Sequence, residues 1–199
     1  MSLYFIKTMI NLILFGKPGS GKGTQAEFIK NKYDLVHIST GNVFRYNISK
    51  QTELGLLAKS YMNKGELVPD NVTIKMLEAE VNKYPNVNGF IFDGFPRTTI
   101  QAEMLDKFLK NKDLEISMTI ALEVDEDVLI ERLINRGKES GRVDDLDKSK
   151  IQNRFVEYNK KTSKLIEYYN NQGKFYSVEG LGEINTITQR IYNLIDSKI

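Results

Sequence analysis

The sequence predicts an α/β fold: a parallel five-stranded sheet flanked by helices, with a small helical insert and a short polar loop later in the chain. Three observations lead there. Short apolar runs alternate with longer helical patterns along the whole chain, the order of a parallel sheet covered by helices. The first apolar run passes at once into a glycine-rich turn and then a helix. And 199 residues suit one such domain, over 1–199, with a sizeable core.

The first strand is expected at 10–15, Ile-Asn-Leu-Ile-Leu-Phe, where only Asn11 interrupts the apolar run. Gly16-Lys17-Pro18-Gly19-Ser20-Gly21-Lys22-Gly23-Thr24 follows, opening a helical pattern over 21–32. Buried strand, glycine-rich turn, helix is the setting of a phosphate-binding loop, which makes the sheet one of P-loop NTPase type. The glycines let backbone N–H groups turn inward on one anion. The helix N-terminus adds to that field, and Lys22 brings a mobile cation to the outer phosphates. Gly23 stands where the G-x-x-x-x-G-K-[ST] pattern has a hydroxyl, and Thr24 comes one place later. The hydroxyl that commonly meets Mg²⁺ is therefore not assigned.

The second strand, at 36–39, exits into Ser39-Thr40-Gly41, a helix-start signal, and a helical pattern over 42–50 carries Arg45 one turn in. The chain from there to Asp70 is mostly helical, has no strand, and ends Gly65-Glu66-Leu67-Val68-Pro69-Asp70. It is too long for a plain connection and reads as an inserted lobe over 40–70. A helical pattern over 70–83 leads to the third strand, 89–92, whose tip is Asp93-Gly94-Phe95-Pro96-Arg97. A carboxylate there can orient waters around Mg²⁺, or simply cap a turn that Gly94 and Pro96 make rigid. Arg97 points into the same crevice, and Gln101, on a helix over 98–110, lies one turn further on the same side.

After the fourth strand, 116–123, a helix over 125–136 places Arg132 and Arg136 on one face. The polar loop 137–145 holds Gly137, Gly141 and Arg142, and Arg154 follows on a helix over 146–170. Any one of these arginines reads as a solvated charge. Four around a glycine-flanked loop, beside a phosphate loop, read as a clamp for phosphoryl oxygens. The fifth strand, 175–178, and a helix over 183–197 complete the pattern. Asn31-Lys32-Tyr33-Asp34 imitates a guanine-recognition motif, but it ends the first helix and cannot reach a base. Asp144-Asp145-Leu146-Asp147 lacks the glycine and distal glutamate of a calcium loop.

Composition narrows the classes. Lys and Arg total 28 against 26 for Asp and Glu, and a net charge of +2 argues against a nucleic-acid-coating surface. Without cysteine there is no disulfide or thiolate metal site, and His37 alone builds no histidine pair or triad. Neither signal peptide nor membrane span is read, so the cytoplasm is expected, with Met1–Thr8 a short extension before Met9.

With these residues in hand, the chain resembles the adenylate kinases of the nucleoside monophosphate kinase family, in their short-lid form. The resemblance spans nearly the whole chain. It rests on residues 16–25, on Ser39-Thr40-Gly41 with Arg45, on 93–98 with Gln101, and on 136–145. Gly23 after the lysine is what that family shows. The resemblance implies reversible in-line transfer of the ATP γ-phosphoryl group to AMP, giving two ADP, with Mg²⁺ as cofactor, a monomer, and no nucleic-acid or membrane partner. It puts Gly19, Ser20, Gly21, Lys22, Gly23 and Thr24 on ATP, with Arg132, Arg136 and Gly180, and has Asp93 organise Mg²⁺ through water. It puts Thr40, Gly41, Arg45, Leu67, Val68, Gly94, Arg97 and Gln101 on AMP, with Thr40 and Gln101 at the adenine. Lys22, Arg97, Arg132, Arg136, Arg142 and Arg154 would surround the transferring group, the last two also reaching AMP. The lid would span 136–147, without the longer lid of many bacterial relatives or the zinc site that some of them carry, and 146–148 reads Leu-Asp-Lys where family members carry Asn-Glu-Glu. A UMP/CMP kinase shares this architecture. Those enzymes usually carry Asn directly after the Arg97 position, so Thr98 and Gln101 tip the choice to adenine. A non-catalytic nucleotide-binding module would have no use for Arg45, Arg97 and Gln101, and a purely structural α/β protein leaves the glycine loop unexplained.

Overall fold

The computed structural model describes residues 9–199, so the expected extension Met1–Thr8 lies outside the described residues. Five parallel strands form one sheet in the order β2-β3-β1-β4-β5. They are β1 (Ile10–Phe15), β2 (Val36–Ser39), β3 (Gly89–Asp93), β4 (Met118–Glu123) and β5 (Phe175–Glu179), each within two residues of its expected bounds. The helices are α1 (Lys22–Tyr33), α2 (Thr40–Ser49), α3 (Glu53–Met62), α4 (Asp70–Val81), α5 (Thr99–Lys110), α6 (Glu126–Ser140), α7 (Lys148–Glu157), α8 (Lys164–Asn170) and α9 (Ile184–Asp196).

The period of two in β1 sorts its side chains between two cores. Leu12 and Leu14 pack with Ala26 and Ile29 of α1 and Ile187, Ile191 and Ile195 of α9. Ile13 and Phe15 face the other side, with Leu77 of α4, Leu105 of α5 and Tyr169 of α8. Burial on both faces explains why β1 reads as a continuous apolar run. Asn11 survives inside it because its side chain is used: Phe90 N–H donates to Oδ1 at 3.1 Å, and Nδ2 donates to the Glu115 carbonyl at 2.8 Å. The chain builds β2 and β3 on one side of β1 and β4 and β5 on the other, which leaves a crevice beyond the carboxyl ends of the central strands.

Two smaller cores hang off the sheet. Phe44, Ala58, Val68 and Met76 join α2, α3 and α4. Leu129, Leu133, Ile151 and Phe155 join α6 to α7. No helix among the described residues is long and apolar enough to cross a membrane.

Three helix expectations need correction. The second helix starts at Thr40, not residue 42, because extended Ser39 serves as its N-cap. The helix expected to stop at 136 runs on to Ser140, until Gly141 ends it in the left-handed conformation at φ 67°. The single helix over 146–170 is three pieces. Asp147 caps α7 through its side chain and excludes Leu146, and a π-helical stretch, Tyr158–Thr162, separates α7 from α8. That stretch turns the Thr162 hydroxyl onto the Arg97 carbonyl at 3.1 Å.

Candidate active site

One cavity of about 710 Å³ occupies the crevice, and every residue expected at the site except Gly180 lines it. Gly180 is buried behind it, where its carbonyl accepts from Arg132 Nη1 at 3.5 Å.

The floor is the glycine-rich turn between β1 and α1. Gly19 and Gly21 hold φ 87° and 92°, a region that residues with a Cβ avoid. No side chain caps α1 at Gly21, so its leading N–H groups are not satisfied by a cap. Lys22 Nζ donates to the Gly16 carbonyl at 2.7 Å, the Lys17 carbonyl at 3.0 Å and Ser20 Oγ at 3.3 Å. Burial brings its pKa down to about 8; the Asp93 carboxylate resists that fall, while Arg97, Arg136 and Arg154 add to it.

At the tip of β3, Asp93 is kept below the usual carboxylate range. Burial alone would raise it, but His37, Lys22 and Arg97 outweigh that. Gly94 follows at φ 74°, and a Cβ there would meet Arg97 Nη2 at 2.9 Å and Thr40 Oγ1 at 3.1 Å. Its carbonyl accepts from Thr40 Oγ1 at 2.9 Å and from Arg97 Nε at 2.7 Å. Thr40 is thus a strut between two loops, while Ser39 takes the N-cap position. Thr98 caps α5 by accepting from the Gln101 N–H at 3.2 Å. The spacing is that of a capping box, yet the Gln101 side chain reaches past Thr98 to accept from the Arg97 N–H at 2.8 Å.

The far wall is cationic. Arg45 donates to Asn42 at 2.7 Å, and its pKa falls to about 10, chiefly through burial and then through Arg142, with Asp144 opposing and Arg136 and Arg154 adding. Arg97 and Arg142 are held low as well, first by burial; Arg154 adds at Arg97 and Arg136 at Arg142, against nearby aspartates. A cavity that pushes its own cations toward neutrality favours a multiply charged anion.

Sequence reasoning missed two residues here. Asp145, dismissed within a failed calcium loop, is completely buried. Its Oδ2 accepts from Arg136 Nε at 2.7 Å, and its Oδ1 from Arg136 Nη2 at 3.0 Å and Arg154 Nη1 at 2.6 Å. It gathers the two arginines across the α6–α7 connection. No periodic signal marks such a residue; an aspartate within reach of arginines on two neighbouring helices was the available hint. The second is His37, read only as unable to form a pair. Its Nδ1 lies 3.1 Å from Glu27 Oε1, and its Nε2 lies 3.4 Å from Asp93 Oδ2 without hydrogen-bond alignment.

Burial would lower the pKa of His37, but Asp93 and Glu27 outweigh it and hold the imidazole above its usual 6.5. A folded pKa above the unfolded one gives stability that is complete below the unfolded value and is lost as pH rises through the folded one. The melting temperature of the ligand-free protein should therefore fall as pH rises from about 6 to 8, and His37→Gln should flatten that slope. Equal slopes for the two proteins in melting curves across this range would refute the assignment. Asp93 and Glu27, both held low, lose their contributions only in acid, outside this window. Lys22, brought down to about 8, works in the opposite sense toward its upper end, so the comparison with His37→Gln is what isolates the imidazole.

The family model described as adenylate kinase matches residues 14–174. An adenylate kinase of Flavobacterium psychrophilum is 60% identical over 189 residues, which cover 95% of this chain and 100% of that protein. One from Flavobacterium johnsoniae is 56% identical, and one from Bacteroides fragilis 47%, each with the same coverage. On these matches, which span nearly its whole length, the chain belongs to the adenylate kinase family.

Proposed function

We propose that this chain catalyses reversible, Mg²⁺-dependent transfer of the γ-phosphoryl group of ATP to AMP, giving two ADP. The observation that carries the reading is the cavity's electrostatics. Lys22, Arg45, Arg97 and Arg142 converge from four segments, each depressed first by burial and then also by neighbouring cations. A single monophosphate would leave that charge unbalanced, whereas two nucleotides facing each other across the cavity balance it.

In this reading the glycine-rich loop, Lys22, Arg132 and Arg136 hold ATP. Thr40, Arg45, Arg97 and Gln101 hold AMP, with the backbone near Leu67 and Val68 against the base. The acceptor is already an anionic phosphate oxygen, so no strong general base is required, and catalysis is positioning plus charge stabilisation. Asp93 fits a role in holding magnesium. It is an oxygen donor kept ionised at the cavity wall, and in the adenylate kinase reading its contact would run through water. Among the described residues no group of three or more His, Cys, Asp or Glu could hold a metal ion, so the nucleotide phosphates would supply most of the oxygen ligands. Bound there, magnesium supplies neutralising charge to the phosphate oxygens. The helical lobe at 40–70 and the lid at 136–147 would close over both substrates and exclude water, which otherwise competes as acceptor.

The test is a phosphoryl-transfer assay with MgATP against AMP, UMP, CMP, GMP and dTMP. AMP should be turned over best, with ADP as the only product. A clear preference for UMP or CMP would move the chain to the pyrimidine branch of the same architecture, and no transfer to any of them would leave a nucleotide-binding module.

A further inference from the structure

The side-chain amide of Gln101 is held at both ends. Its Oε1 accepts from the Arg97 backbone N–H at 2.8 Å, and its Nε2 donates to Asp70 Oδ1 at 2.7 Å. Gln101 is 2% exposed and lines the cavity. A backbone N–H can only donate, and a carboxylate can only accept. A reversed amide would set donor against donor at Arg97 and acceptor against acceptor at Asp70. The two contacts therefore demand the same orientation.

Asp70 is well placed for this. It is the first residue of α4, directly after Pro69 at φ −50°, and the Pro69 carbonyl accepts from the Thr73 N–H at 3.0 Å. It joins the end of the helical lobe to α5 through Gln101. Two of the four hydrogen-bonding positions of the amide are then taken, leaving one N–H and one lone pair of Oε1. An amide free to rotate offers that pair in either order. A locked one offers it in a single order.

We propose that Asp70 is a positioning residue that sets base selectivity by locking the Gln101 amide. The proposal rests on the adenylate kinase reading and adds to it the reason for choosing adenine. Adenine presents an exocyclic N–H donor beside an unprotonated ring nitrogen. A 6-oxopurine presents the reverse, an exocyclic acceptor beside a ring N–H. A rotatable glutamine serves both by flipping, whereas a locked one leaves two unmatched pairs with the 6-oxopurine, a buried mismatch that discriminates strongly.

The experiment compares AMP with IMP, which share ribose, phosphate and size and differ at this edge alone. ADP formation is followed for the wild type, Asp70→Ala and Asp70→Asn. In Asp70→Ala the AMP-over-IMP ratio of kcat/KM should fall by about tenfold or more, through KM more than kcat, while the KM for ATP is unchanged. Asp70→Asn should keep most of the selectivity, because its Oδ1 still accepts from Nε2 and the Arg97 N–H still fixes the other end. A role limited to charge at the start of α4 predicts that both variants lose equally, on both substrates. An unshifted ratio in Asp70→Ala, or Asp70→Asn behaving like Asp70→Ala, overturns the proposal. If Asp70→Ala does not fold, Asp70→Ser carries the same test, since it keeps a helix-start residue one bond too short to hold the amide. A wild type inactive on AMP overturns the underlying reading instead, a result distinct from an active enzyme whose ratio does not move.

Discussion

Lys22→Met should lower kcat for transfer to AMP by about 10²-fold or more, with a melting temperature equal to or slightly above that of the wild type. The two halves of this result have one cause. In the ligand-free protein the ammonium is enclosed among Gly16, Lys17 and Ser20 with its pKa brought down to about 8, so folding gains little from its charge. Methionine keeps most of the length, removes the enclosed cation, and leaves Gly16 and Lys17 carbonyls at a cavity water can enter. The catalytic loss arises because charge grows on the phosphate oxygens during transfer, and a fixed cation is worth more there than in the ground state. A pH signature goes with it. Triphosphate binding favours protonated Lys22, so wild-type affinity for ATP should weaken above about pH 8, and the methionine variant should lack that limb. Steady-state kinetics with melting curves decide the first half, and ATP titrations at pH 7 and 9 the second. Wild-type turnover in the variant would remove the phosphate-loop assignment.

How far the sequence reached depends on how local each signal was. β1 and the loop after it were readable because a two-sided apolar run, glycines at forced dihedrals and a lysine follow one another without a break from Ile10 to Thr24. Arg97 and Gln101 were readable as neighbours because one helical turn separates them. That Gln101 is held by Asp70, 31 positions away, was not, since α4 and α5 meet only through the fold. Asp145 escaped for a similar reason: its importance lies in arginines from α6 and α7, and locally it is one acid among several. The break in the expected 146–170 helix was partly visible, because Asp147 followed by Ser149 is a capping arrangement. The π-helical stretch was not. No residue at 158–162 forbids an ordinary helix, and its visible consequence is the tertiary contact from Thr162 to Arg97.

Arg142→Ala should depress kcat by about 10³-fold while the KM values for ATP and AMP change much less. Arg142 sits between Gly141, at φ 67°, and the short turn Val143–Asp145, whose Val143 is 65% exposed, as is fitting for a segment with little to anchor it. Its guanidinium makes no hydrogen bond or ion pair among the described residues, unlike Arg136 and Arg154, which Asp145 already holds. It faces the same cavity and depresses the pKa of Arg45, which is the neighbourhood the proposed transfer requires of it. A cation with no hydrogen bond or ion pair in the ligand-free state, and only the longer-range pull of Asp145 and Asp144, gains a close partner when negative charge arrives. If that charge is greatest midway through transfer, its removal lowers kcat and kcat/KM together. Arg136 should not show so clean a pattern, because its loss also leaves the fully buried Asp145 carboxylate with Arg154 alone and destabilises the fold. Arg142→Lys should recover only part of the rate, since an ammonium keeps the charge but not the planar pair of donors that spans two phosphate oxygens. A solvated loop arginine would instead give near wild-type turnover in both variants, and a defect confined to KM would assign Arg142 to nucleotide binding before transfer. The comparison is steady-state kinetics on Arg142→Ala and Arg142→Lys at saturating MgATP and AMP, with melting curves beside them; unchanged melting with a collapsed kcat is the result that places Arg142 in the transfer step.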